Sequence, residues 1–201
     1  MRKMRLRPIY PGPRTTVPNA LHRKYPYLLR GVKVTHVNQV WSTDVTYIRL
    51  KYGFVYMTAI IDWYSRRILA WRLFNTLSSD FCIEVLQEAV GKYGWPEVFN
   101  TDQGCQYTSD KFTSLFEEDG CTAKLSMDGK GRSLDNVYIE RFWKTLKYEN
   151  VYIKGYESMG ECQSGIMAFV DRYNDRRRHS SLDRNTPSDV YFNRVTLKEA
   201  A

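Results

Sequence analysis

Three consecutive β-type segments, separated by turns too short to contain a helix, constrain the fold of this chain most strongly. Val40–Leu50 is rich in Val, Thr, Tyr, Trp and Ile, which favour strands, and Lys51–Gly53 has the composition of a hairpin turn. Phe54–Ile61 is apolar without alternation, which is typical of a strand buried on both faces. A turn at Asp62–Arg66 leads into the third segment, Arg67–Leu73. The three segments therefore predict an antiparallel meander.

Helical and β-type segments alternate after this meander. The predicted elements are a helix over Ser79–Tyr93, a strand over Glu97–Thr101, a helix from Ser109 to about Glu118, a strand over Thr122–Met127, a helix over Leu134–Lys147 and a helix over Glu157–Tyr173. The element order βββαβαβαα predicts an α/β fold with a mixed five-stranded sheet and helices on both faces.

The two ends of the chain differ in composition from its middle. Residues 1–36 hold five of the seven prolines, and residues 1–43 carry nine Lys or Arg and no acidic residue. Because proline fixes φ and removes a backbone donor, residues 1–36 are predicted to form an extended basic arm. A folded core is predicted over residues 37–175, followed by a basic extension over residues 176–201, of which Arg176–Leu182 is predicted to be irregular.

The charge indicates a polyanionic partner. The formal net charge is +8, which favours nucleic acid over a membrane surface, with a solubilising tail as the alternative. The sequence contains neither a transmembrane run nor the apolar region of a signal peptide. Its four Cys lack CxxC spacing and nearby His, which argues against a zinc finger or a disulfide scaffold and favours the cytoplasm.

Three carboxylates are candidates for a metal site. Asp44 lies within the first predicted strand, Asp102 follows the fourth, and Glu140 lies on the helix over Leu134–Lys147. Carboxylate oxygens suit Mg²⁺, and two such ions support phosphoryl transfer. The hypothesis requires the first and fourth strands to be neighbours, which the predicted topology permits.

Each carboxylate also has an ordinary structural explanation. Asp44 would pair with an arginine, Asp102 would cap a turn at Gly104, and Glu140 would pair with Lys144. Spacing alone leaves both explanations open. The rival carboxylates for any site are Asp62, Asp110, Asp128 and Asp135.

The helix that carries Glu140 has two distinct faces. Its predicted core stripe consists of Ile139, Phe142, Trp143 and Leu146, which recur at helical spacing. Glu140, Lys144 and Lys147 form a second, charged stripe. A carboxylate beside two ammonium groups would suit a metal ion and a phosphate backbone, and a solvated helix face is the alternative.

Several motifs, taken in order, resemble the landmarks of OrfB-type insertion-sequence transposases. They are Trp41–Tyr47 (WSTDVTY), Thr101–Ser109 (TDQGCQYTS), Ser126–Gly131 (SMDGKG), Asp135–Arg141 (DNVYIER), Tyr173–Asn174, His179–Leu182 and Thr186–Pro187. The resemblance covers about residues 8–192. It implies an RNase H-like fold similar to the retroviral integrase core.

The resemblance also implies a chemistry. Asp44, Asp102 and Glu140 would be the catalytic DDE triad and would bind two Mg²⁺ ions, for which Mn²⁺ can substitute. Asp44 and Asp102 would hold one ion, and Asp44 and Glu140 the other. The implied activity is cleavage of DNA at the element's 3′ ends followed by strand transfer, in a homo-oligomer and with a helix-turn-helix region or subunit that would precede this core.

Further residues are assigned supporting roles. The candidate DNA contacts are Lys144, Lys147, Lys130, Arg132, Arg176 and Arg177, and the candidates for orienting water or DNA are Gln103, Gln106 and Asn136. Two features depart from the family pattern: the spacing from Asp102 to Glu140 is two residues longer than usual, and Arg178 replaces a usual proline. The alternatives are therefore a nuclease without strand transfer and a catalytically decayed, DNA-binding remnant.

Overall fold

A computed structural model describes residues 25–76, 78–128 and 136–195. Within these ranges the strands are β1 (Val40–Leu50), β2 (Gly53–Asp62), β3 (Ile68–Phe74), β4 (Val98–Thr101) and β5 (Lys124–Met127). The helices are α1 (Asp80–Tyr93), α2 (Asp110–Thr113), α3 (Val137–Leu146), α4 (Tyr152–Lys154), α5 (Met159–Asp175) and α6 (Pro187–Tyr191). Two 3₁₀ segments, Ser114–Phe116 and Ser180–Leu182, and a π-helical segment, Lys147–Val151, lie between them.

The strands form one mixed sheet in the order β3-β2-β1-β4-β5. β1, β2 and β3 are antiparallel neighbours, whereas β4 is parallel to β1 and β5 is parallel to β4. The predicted meander and the mixed five-stranded sheet are thus confirmed. The first and fourth strands are neighbours, as a site formed by Asp44 and Asp102 requires.

Helices cover both faces of the sheet because the side chains of β1 alternate between them. Ile48 packs in a core shared with Phe142 of α3 and Phe169 of α5. Trp41 is an odd number of residues from Ile48, so its side chain projects from the opposite face of the sheet. There it packs in a second core that contains Phe81 of α1 and Phe112 of α2. Asp44 is an even number of residues from Ile48, so its side chain lies on the same face as that of Ile48, which α3 covers.

The predicted core stripe of α3 is confirmed, because Ile139, Phe142, Trp143 and Leu146 are all buried. The prediction that this helix ends at Lys147 is wrong. The helical path continues through the π-helical segment and α4 to Gly155, which has a left-handed conformation. Burial of Asn150 and Val151 stabilises this extension, a tertiary effect that periodicity does not reveal.

The segment Arg176–Leu182, predicted to be irregular, contains neither α-helix nor strand and only the 3₁₀ turn Ser180–Leu182. The helix α6, which was not predicted, follows it. Thr186 caps α6 by accepting a hydrogen bond from the Asp189 N–H at 3.1 Å, and Pro187 occupies the first helical turn. Both are ordinary helix-start signals. Tyr191 at the end of α6 packs in the same core as Trp41.

Two other predicted helices have different bounds. α2 stops at Thr113 and tightens into a 3₁₀ turn instead of reaching Glu118. The Thr113 and Ser114 hydroxyls donate to the backbone carbonyls of Ser109 and Lys111, and such bonds compete with helix continuation. α5 begins at Met159 because Ser158 caps it by accepting from the Glu161 N–H.

Of the predicted basic arm, residues 1–24 lie outside the described ranges. Residues 25–36 contain neither helix nor strand. Leu29 is buried in the core, and the Leu28 N–H donates to Ser126 Oγ at 3.0 Å. Within the described parts of the chain, no helix combines the length and apolar character needed to cross a membrane.

Candidate active site

The register between β1 and β4 brings Asp44 and Asp102 together. The two strands pair in parallel with Val40 opposite Val98 and Ser42 opposite Asn100. Continued for two residues, this register places Asp44 opposite Asp102, which directly follows β4. Residues in register on adjacent parallel strands project from the same face, with backbones about 4.8 Å apart. The two carboxylates therefore share one face at the carboxyl end of β4.

Two hydrogen bonds attach α3 to β1 beside these carboxylates. Asn136, at the N-cap position of α3, donates from Nδ2 to the Thr43 carbonyl at 3.2 Å. Trp143 donates from Nε1 to Asp44 Oδ2 at 3.0 Å. Glu140 lies four residues after Asn136 and three before Trp143, so it occupies the same side of the helix. The third carboxylate thus lies beside Asp44 and is exposed to solvent.

Burial disfavours the ionised form of both carboxylates, and repulsion from the neighbouring charges adds to this effect for Asp44. The pKa of Asp44 is raised to about 6, chiefly by burial and then by the charge of Asp102, with a smaller contribution from Glu140. The Val45 backbone and the Trp143 indole oppose this rise by hydrogen bonding to Asp44. Burial also raises the pKa of Asp102. Raised carboxylate pKa values in a shared site are characteristic of functional positions that hold a cation.

Gly104 leaves the space that the Asp102 carboxylate needs. The Gly104 N–H donates to Asp102 Oδ1 at 2.9 Å, so the structural explanation of Asp102 as a turn cap also applies. A Cβ at position 104 would lie 2.9 Å from both Asp102 Oδ1 and Gln106 Oε1. The turn therefore depends on glycine for close packing, independently of backbone strain.

The donor set suits a hard divalent cation. Three carboxylates supply oxygen ligands only, which is the preference of Mg²⁺ and Mn²⁺. Among the described residues, no three His, Cys, Asp or Glu side chains already converge on one metal position. The Glu140 side chain is exposed to solvent, so it would have to change rotamer to bind an ion together with Asp44.

The predicted lysine contacts lie close to this site. Burial lowers the pKa of Lys147, while the nearby Asp44 charge raises it, which places the ammonium beside the carboxylates. Lys144 is exposed on the stripe of Glu140, and these two residues form no ion pair in the described structure. The alternative pairing of Glu140 with Lys144 is therefore absent, and both side chains are available to a ligand.

The other predicted contacts have varied surroundings. Gln103 donates from Nε2 to the Asp128 carbonyl at 2.8 Å, and Gln106 lies against Gly104. Arg176 is exposed, whereas Arg177 donates from Nη2 to Glu149 Oε1 at 2.8 Å, so its charge is compensated. The predicted contacts outside the described residues are Lys130 and Arg132.

Two rival carboxylates have defined structural roles. Asp62 accepts hydrogen bonds from the Ser65 N–H and hydroxyl at Oδ1 and from the Asn38 N–H at Oδ2, as expected of a turn. Asp128 is buried directly after β5, and its Oδ1 accepts from Asn100 Nδ2 at 2.8 Å. The remaining rivals are Asp110, which begins α2, and Asp135, which lies outside the described residues.

Sequence reasoning did not identify the proximity of Asp128 to the site. β4 and β5 pair with Thr101 opposite Met127, so the next position brings Asp128 opposite Asp102. The available signal was the position of Asp102 and Asp128, each directly after the end of a predicted strand. Because β5 keeps this register, the longer spacing between Asp102 and Glu140 does not displace β5 from the sheet.

Sequence reasoning also assigned Trp143 only to the core, whereas its indole N–H holds Asp44. We expect Trp143→Phe, which keeps a large ring and removes the donor, to reduce any metal-dependent DNA cleavage about 10–100-fold, as loss of a ligand-orienting bond does. The cleavage rate and the Mg²⁺-induced shift in melting temperature would measure this.

Trp63 offers a matched control for that substitution. It is also buried, but its Nε1 has no partner among the described residues. Trp63→Phe should therefore leave cleavage unchanged. Equal losses in both variants would show that ring packing matters here and that the hydrogen bond to Asp44 does not.

This sheet order, with two carboxylates at the end of β4 and a third on an adjoining helix, defines an integrase-type core of RNase H-like fold. Two family models, both described as Integrase core domain, match residues 34–130 and residues 122–187. The chain therefore belongs to the integrase core family, in the superfamily that includes insertion-sequence transposases.

Two relatives illustrate the similarity. The chain is 36% identical over 160 residues to the transposase for insertion sequence element IS904 of Lactococcus lactis subsp. lactis (strain IL1403), with 78% of this chain covered. It is 30% identical over 186 residues to the putative transposase InsK for insertion sequence element IS150 of Escherichia coli (strain K12), with 90% covered. The match spans 62% of the length of each relative.

Solved structures agree on the fold. The HTLV-2 integrase catalytic core domain in complex with magnesium (dimeric form) matches with a TM-score of 0.60 at 18% identity, covering 78% of this chain and 97% of that one. A chain of the simian T-cell lymphotropic virus intasome, in complex with PP2A regulatory subunit B56 gamma, matches with a TM-score of 0.69 at 18% identity. It covers 91% of this chain and 64% of that one.

Proposed function

We propose that this chain is the catalytic core of an insertion-sequence transposase, a Mg²⁺-dependent polynucleotidyl transferase that cleaves DNA at element ends and joins those ends to a target. The observation that carries the proposal is the β1–β4 register, in which Ser42 lies opposite Asn100 and which, continued for two residues, sets Asp44 opposite Asp102. The Trp143 bond to Asp44 brings the helix of Glu140 to the same place. The similarity to insertion-sequence transposases supports it further.

In this proposal Asp44 and Asp102 would hold one ion, and Asp44 and Glu140 would hold a second. When bound, the two ions would stabilise the attacking and leaving oxygens of an in-line displacement. The first displacement uses water to break a phosphodiester and frees a 3′-OH. In the second, that 3′-OH forms a new phosphodiester and releases the target strand's own 3′-OH.

The remaining groups of the site bind and orient DNA. Lys147 and Lys144 contact DNA phosphates beside the site, because both lie on the helix stripe of Glu140. Arg176 contacts the backbone non-specifically. Asn136 fixes α3 on β1, and Gln103 fixes the loop after Asp102 by its bond to the Asp128 carbonyl.

The partners follow from the same chemistry. DNA is the substrate, both as element end and as target, and bringing two ends together requires a homo-oligomer. Since the match spans 62% of each relative, we assign recognition of the terminal repeats to a helix-turn-helix region or subunit outside this core. We place the activity in the bacterial cytoplasm, where the DNA lies.

A strand-joining assay tests the proposal. The purified chain would be mixed with a short duplex bearing a pre-cut 3′-OH end, a supercoiled plasmid and Mg²⁺ or Mn²⁺, with EDTA as the blank. We expect duplex joined covalently to the plasmid. Shortened DNA without joined product would instead indicate a nuclease, and DNA binding without either product would indicate a decayed remnant.

A further inference from the structure

The helical path that begins at Glu140 continues well past the candidate site and exposes two tyrosines. Tyr148 and Tyr152 are 65% and 61% exposed, and their ring centroids lie 5.3 Å apart at 80°. Single exposed aromatic residues are common on protein surfaces. Two in mutual contact form a larger apolar patch, which is more informative.

The local helix geometry keeps both rings on the outside. The π-helical segment Lys147–Val151 contains one residue more per turn than an α-helix, so Asn150 and Val151 are both buried. Asn150 donates from Nδ2 to the Gly165 carbonyl of α5 and accepts from the Tyr156 hydroxyl. Segments of this kind occur often at functional sites.

The tyrosine pair is continuous with the charged stripe of α3. Lys144 and Tyr148 follow Glu140 at steps of four residues, which keeps them on one side of the helix. Tyr148 lies about 12 Å from Glu140 along the helix axis. The exposed Arg141 and Lys144 precede the tyrosines, so the patch adjoins positive charge.

The acidic residue within this segment does not oppose an anionic ligand. Glu149 accepts a hydrogen bond from Arg177 Nη2 at 2.8 Å and lies 3.8 Å from Arg172 Nη2. Two arginines thus compensate its charge. The surface near Tyr148 and Tyr152 therefore combines exposed aromatic rings with a net positive surrounding.

We propose that Tyr148 and Tyr152 form a stacking surface for unpaired bases of the DNA strand that leaves the candidate site along α3. Duplex DNA presents mainly phosphates and sugars to such a surface, whereas unpaired bases present flat faces that stack on aromatic rings. Lys144 would bind the phosphates of the same strand. This inference rests on the proposed function, because it takes DNA as the ligand.

The test measures binding of two fluorescent duplexes, one blunt and one with a short single-stranded overhang, over a range of salt concentrations. We expect Tyr148→Ala and Tyr152→Ala to weaken overhang binding about tenfold each, with blunt-duplex binding and the salt slope unchanged. Tyr148→Phe should retain binding, because its ring still stacks. Lys144→Gln should instead reduce the salt slope by about one.

Phe192→Ala is the matched control. Phe192 is 47% exposed, and the guanidinium carbons of Arg67 and Arg194 lie 4.9 and 5.4 Å from its ring centroid. The hydroxyl of its neighbour Tyr191 donates a hydrogen bond to Asn38, which lies just before the start of β1. The helical segment with the two tyrosines lies near the other end of β1, because the Tyr156 carbonyl, just past α4, accepts a hydrogen bond from the Lys51 N–H, which directly follows β1. This aromatic–arginine cluster therefore lies at the opposite end of β1 and should not affect overhang binding.

The outcomes separate the two proposals. Unchanged overhang binding in both alanine variants, or equal loss in the alanine and phenylalanine variants, would overturn the stacking surface. A change of oligomeric mass without a change in DNA affinity would overturn it too and indicate a contact between copies of the chain. Failure of the unmodified chain to bind either duplex would instead overturn the proposed function.

Discussion

Asp44→Asn should abolish metal-dependent DNA cleavage while making the folded chain more stable. The substitution keeps the shape of the side chain and an oxygen that can accept from the Trp143 indole. It removes the charge that a divalent cation requires. Loss of several kcal/mol of transition-state stabilisation corresponds to a rate reduction of about a thousandfold or more.

The gain in stability follows from the raised pKa of Asp44. The pKa of Asp44 is about 6 in the folded chain, against an ordinary value of 3.8. Between pH 3.8 and pH 6 the folded state therefore binds more protons than the unfolded state, and the stability of the folded chain falls as the pH rises through this range. The full cost, up to about 3 kcal/mol, is reached above pH 6. Asparagine avoids this cost but has its own desolvation penalty, so we expect a net gain of about 1–2 kcal/mol at pH 7.5.

Thermal unfolding in EDTA at pH 7.5 and at pH 4 measures this gain, which should be lost or reversed at the lower pH, because little of the cost of the Asp44 charge remains there while the desolvation penalty of asparagine persists. Added Mg²⁺ should raise the melting temperature of the unmodified chain by mass action and leave Asp44→Asn unaffected. Asp171→Asn, an exposed position on α5, controls for loss of charge alone and should retain cleavage. Cleavage by Asp44→Asn within tenfold of the unmodified chain would remove Asp44 from the site.

The sequence predicted those parts of the site that depend on regular structure. Strand periodicity and chain order predicted the five strands and permitted β1 to adjoin β4, which the hypothesis for Asp44 and Asp102 required and which the structure has. The core stripe of α3 followed from helical spacing, because burial of one face determines which residues recur. Both predictions rest on local sequence patterns, and formation of the sheet then brings the predicted elements together.

The parts that the sequence did not predict depend on tertiary contacts. The Trp143 bond to Asp44 joins two elements far apart in the chain, and an indole in a core stripe carries no local sign of such a partner. The continuation of α3 through Lys147–Val151 depends on Asn150, which bonds to α5 and to Tyr156. α6 could have been predicted from Thr186 and Pro187, whose spacing is an ordinary helix start.

Gly165 shows most directly how tertiary packing reverses a local preference. Glycine inside a helix usually costs about 1 kcal/mol relative to alanine, so the sequence alone treats Gly165 as a weak point of α5. A Cβ at this position would lie 2.5 Å from Tyr156 Cζ and closer still to the hydroxyl oxygen. Tyr156 is 3% exposed and donates to Asn150 Oδ1 at 2.7 Å. The glycine thus permits the contact that fixes the π-helical segment against α5.

We therefore expect Gly165→Ala to destabilise the chain by about 2–3 kcal/mol through overpacking, which lowers the melting temperature by about 5–10 °C at this chain length. Gly160→Ala in the same helix is the matched control, because a Cβ at that position would have nothing within 4 Å of it; it should be neutral or stabilising by up to about 1 kcal/mol. Tyr156→Phe combined with Gly165→Ala should recover only part of the loss, because the ring carbon clash persists after the hydroxyl is removed. A rise in melting temperature for both glycine variants would show that α5 does not depend on this close approach.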